Sequence, residues 1–380
     1  MKILMNAGPW LPVPPAGYGG IENIVATLVP ELRARGVEVV LATVGGSTIE
    51  VDEVLHVFDE GQFAHLQKPY NQVMGLAHAH QAGVVAELRR RDDIDLVHDH
   101  LEVVGPAVLS ALGTHRALHT LHWDLHKHPD LYGNWPRGIA VNGVSRSQLA
   151  RAPQSLQRAS LGAIYLATPL AGTVPPMERN DHLIVMGRVC GLKGQHIAAR
   201  LCQKLGLGLV LAGPVSGLND AAELEQVLGD PEHPLHGHPD VRYHAEEVAR
   251  YLDGDLVRWV GGVAGEERDR LYGSARAALF PIQWDEPGGT AVVEAMALGV
   301  PPIGLRRGCL PELIDHGRTG FLADTEEELA ELVLRADEID PEECRREARA
   351  RFSPGVMAEH YLELYERLIG QARPRRSGQE

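Results

Sequence analysis

Short apolar runs alternate along the chain with stretches whose apolar residues recur at helical spacing. Near the start, KILMN is followed by the Gly/Pro-rich loop AGPWLPVPPAGYGG and then by IENIVATLVPELRARG. The short apolar run predicts a strand, and the period of three to four residues in the last stretch predicts a helix. The chain therefore begins with a strand, a glycine loop and a helix, an order that can bind phosphate.

The same alternation occupies two successive regions. In the first, VEVVLAT, DLVHDH, ALHTLHW and GIAVNGVS predict strands of a parallel sheet covered on both faces. After the strand-like GAIYLATPL, the pattern restarts with HLIVMGR as a strand and KGQHIAARLCQKLG as a helix. The pattern predicts an α/β protein with two Rossmann-like, doubly wound domains that face each other across a cleft.

The two domains are predicted at residues 1–172 and 173–354. A C-terminal helix at about 355–372 opens with a Ser-Pro start signal and is expected to pack back on the first domain. The segment LGDPEHPLHGHPDVRYH is predicted to be a polar surface excursion from the second domain. Because open parallel sheets bind ligands at the carboxyl ends of their strands, the cleft is the expected site.

Charge and cysteine content narrow the class of protein. The 380 residues include 36 Lys and Arg against 51 Asp and Glu, a net charge of -15 that disfavours binding to nucleic acid or to an anionic membrane. The four cysteines form no CxxC pair, which is typical of reduced thiols in a cytoplasmic protein. No signal peptide or membrane anchor is expected, and the predicted state is a monomer or homodimer.

Two loops offer groups for a phosphate. Gly17, Gly19 and Gly20 precede a predicted helix, so that bare amides could meet an anion, although the same glycines also suit a simple tight turn. Arg188 and Lys193 lie on one loop between a predicted strand and a helix. A guanidinium fork and an ammonium together suit a diphosphate, and the alternative is a pair of solvated surface charges.

The stretch DEPGGTAVVEAMALGVPP carries two carboxylates, Glu286 in a loop and Glu294 about one turn inside a predicted helix. Gly288, Gly289 and Thr290 lie at the start of that helix, where free amides can hold a phosphate. Glu294 has apolar neighbours, so its carboxylate needs hydrogen bonds, which vicinal ribose hydroxyls would supply. The alternative, an acid that stabilises the helix dipole, suits Glu286 better than Glu294.

Among 19 histidines, His122 follows a predicted strand and is expected to point into the cleft as a hydrogen-bond donor to the transferred group. His122 and His126 are four residues apart, but no acid or cysteine completes a zinc set. His98 and His100 are expected to be structural or exposed, as are the histidines of 233–239. The D-x-D patterns at Asp93–Asp95 and Asp253–Asp255 adjoin strand starts, the wrong ends for a metal-nucleotide site, so no metal is expected.

These motifs together resemble the retaining glycosyltransferases of family 4, which have the GT-B architecture. The spacing of Glu286 and Glu294 within EPGGTAVVEAMALGVPPI is the most specific resemblance. GYGGIE, GRVCGLKG, VRWVGGVAGEERDRLYGSA and GCLPELIDHGRTGFL match further blocks in the same order, so the resemblance covers nearly the whole chain. The opening MNAGPWLPVPPAGYGGIE most resembles the branch of the avilamycin-type and tetrahydrobiopterin glucosyltransferases.

The resemblance implies a role for each matching residue. Glu294 would bind the nucleotide ribose, Glu286 the hydroxyls of the donor sugar, and His122 the sugar near its reacting carbon. Arg188 and Lys193 would neutralise the diphosphate, and the backbone at Val263 would recognise the base. The remaining donor-binding positions are glycines or backbone amides: Gly19, Gly20, Gly213, Gly288, Gly289, Thr290 and Ala291.

Two positions depart from the family. Gly288 replaces the usual aromatic after the Glu-Pro pair, and Thr290 replaces a bulky aliphatic, so we expect a wider donor pocket.

The predicted function is the metal-independent transfer of a hexose, glucose-like, from a nucleoside diphosphate sugar to a hydroxyl of a small-molecule or glycan acceptor with retention. UDP-glucose is the favoured donor, the first domain would bind the acceptor, and no cofactor is expected. The alternatives are a GT-B sugar-nucleotide epimerase or phosphorylase and a non-catalytic sugar-nucleotide binding protein. A nicotinamide dehydrogenase is disfavoured because neither domain has G-x-G-x-x-G.

Overall fold

The computed structural model describes residues 1–17, 19–172 and 177–370. The chain divides into two compact units: unit 1 comprises Met1–Ala167 and the C-terminal segment from Pro354, and unit 2 comprises Thr168–Ser353. Each unit has one sheet of parallel strands together with its own helices. The predicted α/β class with two Rossmann-like domains is confirmed. The domain boundary expected at 172 and 173 adjoins residues 173–176, which are not among the described residues.

Unit 1 contains a seven-stranded parallel sheet in the order β3-β2-β1-β4-β5-β6-β7. The winding reverses between β1 and β4, which lie side by side with Asn6 next to Asp99. The strands are β1 (Lys2–Asn6), β2 (Glu38–Thr43), β3 (Glu53–His56), β4 (Leu96–Asp99), β5 (Ala117–Leu121), β6 (Ile139–Gly143) and β7 (Ser160–Ala163).

The last strand of unit 1 differs from its prediction, which put it within GAIYLATPL. β7 ends at Ala163. Pro169–Ala171 form a single 3-10 turn, in which the Leu170 N–H donates to the Thr168 hydroxyl. Because proline donates no ladder hydrogen bond and the threonine side chain caps the turn, the second half of the apolar run does not extend the sheet.

Seven helices cover the sheet of unit 1 in the described residues. They are α1 (Gly20–Ala34), α2 (Tyr70–Arg90), α3 (Gly105–Leu112), α4 (Pro129–Gly133), α5 (Arg146–Ala150), α6 (Gln154–Ala159) and, from the far end of the chain, α15 (Pro354–Ile369).

The C-terminal helix α15 packs on unit 1. Met357, Tyr361 and Tyr365 are buried in one apolar cluster with Leu28 and Leu32 of α1. Burying each such side chain contributes about 1.5–3 kcal/mol, which is enough to fix a helix that is distant in sequence. The predicted end of this helix at 372 lies outside the described residues, as does the C-terminal tail.

Unit 2 contains a six-stranded parallel sheet in the order β10-β9-β8-β11-β12-β13. Here the winding reverses between β8 and β11. The strands are β8 (Leu183–Met186), β9 (Leu209–Ala212), β10 (Val257–Trp259), β11 (Ala277–Phe280), β12 (Pro302–Leu305) and β13 (Phe321–Ala323).

Eight α-helices of unit 2 are described, and the longest are α7 and α14. They are α7 (Gln195–Leu205), α8 (Ala221–Gly229), α9 (Pro239–Tyr243), α10 (Gly265–Gly273), α11 (Thr290–Ala297), α12 (Leu310–Leu313), α13 (Glu326–Leu334) and α14 (Pro341–Phe352).

The segment predicted as a polar excursion is only partly so. Its last third forms α9, which starts with Pro239 in the first turn and with the His238 side chain bonded to the Asp240 amide. Val241 and His244 are buried, so this part of the segment packs against the domain.

Two further expectations concern the chain as a whole. All four cysteines are free, as predicted, and all four are also buried. None of the described helices is both long enough and apolar enough to cross a membrane.

Candidate active site

In unit 2 the predicted donor-binding residues follow three neighbouring strands. Arg188 and Lys193 come after β8, Gly213 after β9, and Glu286 after β11. Since β9, β8 and β11 are adjacent and parallel, their carboxyl ends lie at one edge of the sheet. The winding of the sheet reverses at this point, which is where open α/β sheets bind ligands.

Lys193 and Glu286 form a direct ion pair, with 2.6 Å between Nζ and Oε2. The Trp284 indole Nε1 donates to the same Glu286 oxygen at 3.0 Å. Burial lowers the pKa of Lys193, but the Glu286 carboxylate outweighs burial, and the net pKa lies above the usual value. Lys193 therefore carries its positive charge at neutral pH. No protein group among the described residues bonds the other Glu286 oxygen, Oε1.

The loop that carries Lys193 is fixed by its own backbone. Gly194 has a φ of +71°, and a Cβ there would lie 2.1 Å from the Pro281 carbonyl oxygen. Any other residue would push the loop away from β11, because this conformation and this close approach both require glycine. The Gln195 side chain donates to the Arg188 carbonyl at 2.9 Å, which ties the two ends of the loop together.

Arg188 has an acidic partner that the sequence analysis missed. Its Nη1 lies 3.4 Å from Oδ2 of Asp240, which is supplied by α9. Asp240 is largely buried whereas Arg188 is half exposed. The start signal at His238 and Pro239 could have indicated the helix, but nothing local in the sequence indicates its ion pair with Arg188.

Glu294 lies on α11, and the start of that helix is shaped by glycine. Gly289 caps it with a φ of +63°, and a Cβ there would lie 2.6 Å from Leu313 Cδ1 and 2.8 Å from Cys309 Sγ. Within the described chain, no side chain caps this end. The amides of Thr290 and Ala291 are thus in the first turn of a helix without a side-chain cap, a position that favours an anion.

The Glu294 carboxylate forms its own ion pair. Arg268 Nη1 of α10 lies 3.3 Å from Glu294 Oε1. Burial raises the pKa of Glu294 and Arg268 opposes that rise, with a net pKa above the usual value. Glu286 and Glu294 therefore belong to separate ion pairs. Arg268 did not figure in the sequence analysis.

The loop at Val263, expected to recognise the base, is held against the segment that leads into α8. Gly262 N–H donates to the Asn219 carbonyl at 2.8 Å, and Gly213 N–H donates to the Gly261 carbonyl at 2.7 Å. A Cβ at Gly261, where φ is +78°, would lie 1.8 Å from the Asn219 oxygen. These contacts bring Val263 and Gly213 into one set of loops, and Gly288 is buried just before α11.

Three predicted residues belong to unit 1. Gly19 and Gly20 form the start of α1, and His122 follows β5. His122 Nε2 lies 2.8 Å from His100 Nδ1, and His100 Nε2 lies 3.1 Å from the Met5 sulfur. Burial lowers the pKa of His122 to about 3, so its ring is neutral at physiological pH.

His122 adjoins a buried polar cluster that sequence reasoning did not assemble. Asp99 Oδ2 accepts from His119 Nδ1 at 2.6 Å, and Asp99 Oδ1 accepts from the Asn6 amide at 2.7 Å. The Tyr132 hydroxyl donates to the Glu102 carboxyl. Burial of Glu102 raises its pKa. The expectation that His98 and His100 are structural agrees with their complete burial.

The candidates that were discounted have local roles. Asp93 pairs with Lys2 and Arg91, and Asp253 accepts from the amides of Asp255 and Val257. His126 bonds Asp124, not His122. Within residues 1–17, 19–172 and 177–370, no three His, Cys, Asp or Glu side chains form a group that could hold a metal ion.

Comparisons with known proteins show the class of enzyme to which this fold and these loops belong. Residues 176–352 match the family of Glycosyl transferases group 1, and residues 18–155 match Glycosyltransferase Family 4. The crystal structure of AviGT4, a glycosyltransferase involved in avilamycin A biosynthesis, is similar over 98% of both chains, with 28% identity and a TM-score of 0.66. The protein is a glycosyltransferase of GT-B architecture, with a family 4-like domain followed by a group 1 domain.

Two sequence relatives and one further structure extend the comparison. Spore coat protein SA of Bacillus subtilis is 23% identical over 97% of this chain and all of its own length. D-inositol 3-phosphate glycosyltransferase of Pseudarthrobacter chlorophenolicus is 28% identical over 80% of this chain and 78% of its own. Anabaena HepE, solved with UDP and glucose, shares the fold over 97% of this chain and 100% of its own, at 17% identity and a TM-score of 0.66.

Proposed function

We propose that the protein is a retaining, metal-independent hexosyltransferase that uses a nucleoside diphosphate sugar, with UDP-glucose favoured. The acceptor would be a hydroxyl of a small molecule or glycan. The observation that carries the proposal is the Lys193–Glu286 pair, 2.6 Å apart at the point where the sheet winding reverses. A cation held there, with Arg188 on the same loop, suits the negative charge of a departing diphosphate.

The donor would be bound by unit 2 in three parts. Glu294 takes the ribose hydroxyls, and the backbone at Val263 meets the base. The diphosphate lies against Arg188, Lys193 and the first-turn amides of α11, with the backbone of Gly213 and Gly289 close by. Gly288, which has no side chain, and the short side chain of Thr290 would leave room beside the sugar.

Glu286 acts by positioning. Two donors, Lys193 and Trp284, occupy its Oε2, and Oε1 is left for hydroxyls of the donor sugar. A carboxylate anchored in this way orients the sugar and holds the lysine; the proposal gives it no nucleophilic role. The Lys193 ammonium has three donors, so it can keep Glu286 and still meet a phosphate oxygen.

His122, predicted from the sequence to donate a hydrogen bond to the transferred sugar, would instead accept one from it. The Met5 sulfur can only accept from His100 Nε2, which leaves His100 Nδ1 to accept from His122 Nε2. His122 Nδ1 then has a free lone pair. We assign this tautomer from the hydrogen-bond network. Unit 1, with Gly19 and Gly20 at the start of α1, would contribute this histidine and the acceptor site.

The reaction breaks the bond between the anomeric carbon and the diphosphate oxygen and forms a bond to the acceptor oxygen on the same face of the sugar. The acceptor proton passes to the leaving diphosphate. The products are the glycoside and the nucleoside diphosphate, and no separate base or metal is needed. The work of the protein is then charge stabilisation by Lys193 and Arg188 and orientation by Glu286.

A thermal-shift panel of UDP, GDP, ADP and dTDP and their sugars tests the donor class. A ligand that binds only the folded state raises the melting temperature. One nucleotide and its sugar should do so in the presence of EDTA. Product analysis with and without candidate acceptors then separates a transferase from an epimerase or phosphorylase. No shift with any of these nucleotides, or a shift only with NADH, would contradict the proposal.

A further inference from the structure

Arg268 has a geometry that the proposed roles do not use. Its Nε and Nη2 both donate to Asp269 Oδ1, at 2.9 and 2.7 Å, and its remaining arm, Nη1, lies 3.3 Å from Glu294 Oε1. The adjacent acid thus fixes the plane of the guanidinium and directs one arm at the carboxylate. An arginine that binds nothing but solvent would not be held at all three nitrogens.

A buried hydrogen bond joins the two helices close to this contact. Tyr272, fully buried one turn after Arg268 on α10, donates its hydroxyl to the Ala291 carbonyl of α11 at 2.7 Å. Ala291 lies three residues before Glu294. This hydrogen bond ties the backbone of α11 to α10 within about one turn of both the arginine and the carboxylate.

The carboxylate has one oxygen held and one available. Arg268 takes Oε1, while no protein donor among the described residues bonds Oε2. The Glu294 side chain keeps 17% of its surface exposed, and Oε2 is not among the fully buried polar atoms that lack a partner, so it can meet a ligand. Burial raises the pKa of Glu294 and Arg268 works against that rise, which favours the charged, hydrogen-bond-accepting form.

We propose that Arg268, directed by Asp269, is the positioning residue through which Glu294 distinguishes a ribonucleotide from a 2'-deoxyribonucleotide. This inference rests on the proposed function, since it assumes that Glu294 binds the ribose. A carboxylate held by one oxygen presents the other in a fixed direction to a hydroxyl. Without Arg268 the carboxylate rotates or takes up a proton, and its preference for a ligand that carries the 2'-hydroxyl weakens.

The rival role for Arg268 is direct contact with the diphosphate. That role would weaken ribonucleotides and deoxyribonucleotides equally, because both carry the same phosphates. The ratio of the two affinities separates the two roles. The ratio is also insensitive to partial unfolding, since both ligands are measured on one preparation.

The test is calorimetric titration of the full chain with the diphosphates of uridine, guanosine and adenosine, each paired with its 2'-deoxy form. The pair that binds tightest is then measured on R268Q and on R270Q, which removes the same charge from an exposed position of α10. Wild type and R270Q should favour the ribo form by about ten-fold or more. R268Q should reduce that ratio by about five-fold. Added to E294Q, the same substitution should leave the ratio of the E294Q variant unchanged.

The outcomes separate the inference from the proposed function. If neither these diphosphates nor dTDP binds the wild type, the proposed function fails, and binding of dTDP alone overturns the inference. If one binds but the wild type does not favour its ribo form, or if R268Q weakens both forms equally, Arg268 has no role in ribose selection. A change in the ratio that persists in the E294Q background also overturns the inference, because Arg268 would then act without Glu294.

Discussion

The two units place different chemistry at equivalent points of the same fold. In unit 1 the strand ends beside the reversal of winding carry the Asp99 carboxylate, bonded to His119, and three histidines, His98, His100 and His122, whose pKa values burial holds below the usual range. In unit 2 the same region carries ion pairs: Lys193 with Glu286, Arg188 with Asp240, and Arg268 with Glu294.

The contrast indicates what each unit can do. Charged groups on partly exposed loops can exchange a protein partner for a phosphate oxygen or a hydroxyl. Neutral histidines fixed by hydrogen bonds supply direction and not charge. The shared fold thus supports a charge-stabilising role for unit 2 and an orienting role for unit 1, and the predictions below test that division from the largest expected effect to the smallest.

Removing the charge of Lys193 should abolish most of the charge stabilisation that we assign to unit 2. For K193A we expect kcat to fall about 10²–10³-fold, the effect of losing one group that stabilises charge in the transition state. Steady-state kinetics with the donor found in the thermal-shift panel provide the measurement. K204A, an exposed lysine on α7, is the matched control and should remain near wild type. Near-normal kcat in K193A would refute the assignment.

The neutral histidines of unit 1 should make stability depend on pH. His80 is buried with a pKa lowered to about 4, and burial also holds the pKa of His98 well below its usual range, while both have ordinary values when unfolded. Between about pH 6.5 and 4 the unfolded chain binds one more proton at His80 than the folded chain does, so the free energy of unfolding should decrease by about 1.4 kcal/mol for each unit by which the pH is lowered, with a further decrease from His98. Denaturant titrations across this range measure the slope. H80Q should reduce it, and an unchanged slope would contradict the account.

The buried hydrogen bond between His98 and α15 should be measurable in the stability of unit 1. The Tyr365 hydroxyl lies 2.7 Å from His98 Nδ1, and both side chains are fully buried. Y365F leaves that nitrogen without its partner and should cost about 1–3 kcal/mol in the free energy of unfolding. Y70F, at a tyrosine that is 75% exposed, is the control. Equal stability of the two variants would mean that the bond contributes little.

Removing the weakest of the three ion pairs, Arg188 with Asp240, should have the smallest effect on the kinetics. Asp240 lies 3.4 Å from Arg188, whose side chain is half exposed, so solvent reduces the strength of the pair. D240N should raise KM for the donor about two- to five-fold and leave kcat nearly unchanged. A large fall in kcat would instead indicate that Asp240 contacts the reacting groups.

Much of the fold could be predicted because it is encoded locally. Apolar runs such as LIVM and helical periods such as that of IENIVATLVPEL specify strands and helices by themselves. The strand order then placed Arg188, Lys193 and Glu286 at one edge of a sheet. Glycines at 194 and 289 were visible in the sequence, but the approach of Pro281 and Leu313 that requires them was not.

The partners of the site residues could not be predicted because they come from distant segments. Asp240 reaches Arg188 from a helix that the polar composition of its segment concealed. Arg268 precedes Glu294 by 26 residues, and the two meet in the fold beside the hydrogen bond from Tyr272 of α10 to Ala291 of α11. The histidine and tyrosine contacts of unit 1 likewise join residues more than 200 positions apart.

The central claim is that the protein releases a sugar from its nucleotide with retention at the anomeric carbon. Real-time proton NMR of the slow hydrolysis of the best-binding sugar nucleotide, with water in place of the acceptor, measures this directly. With UDP-glucose the account predicts that α-glucose appears first, that EDTA does not slow its release, and that K193A largely abolishes it. Initial release of β-glucose, or release that requires added metal, would contradict the account.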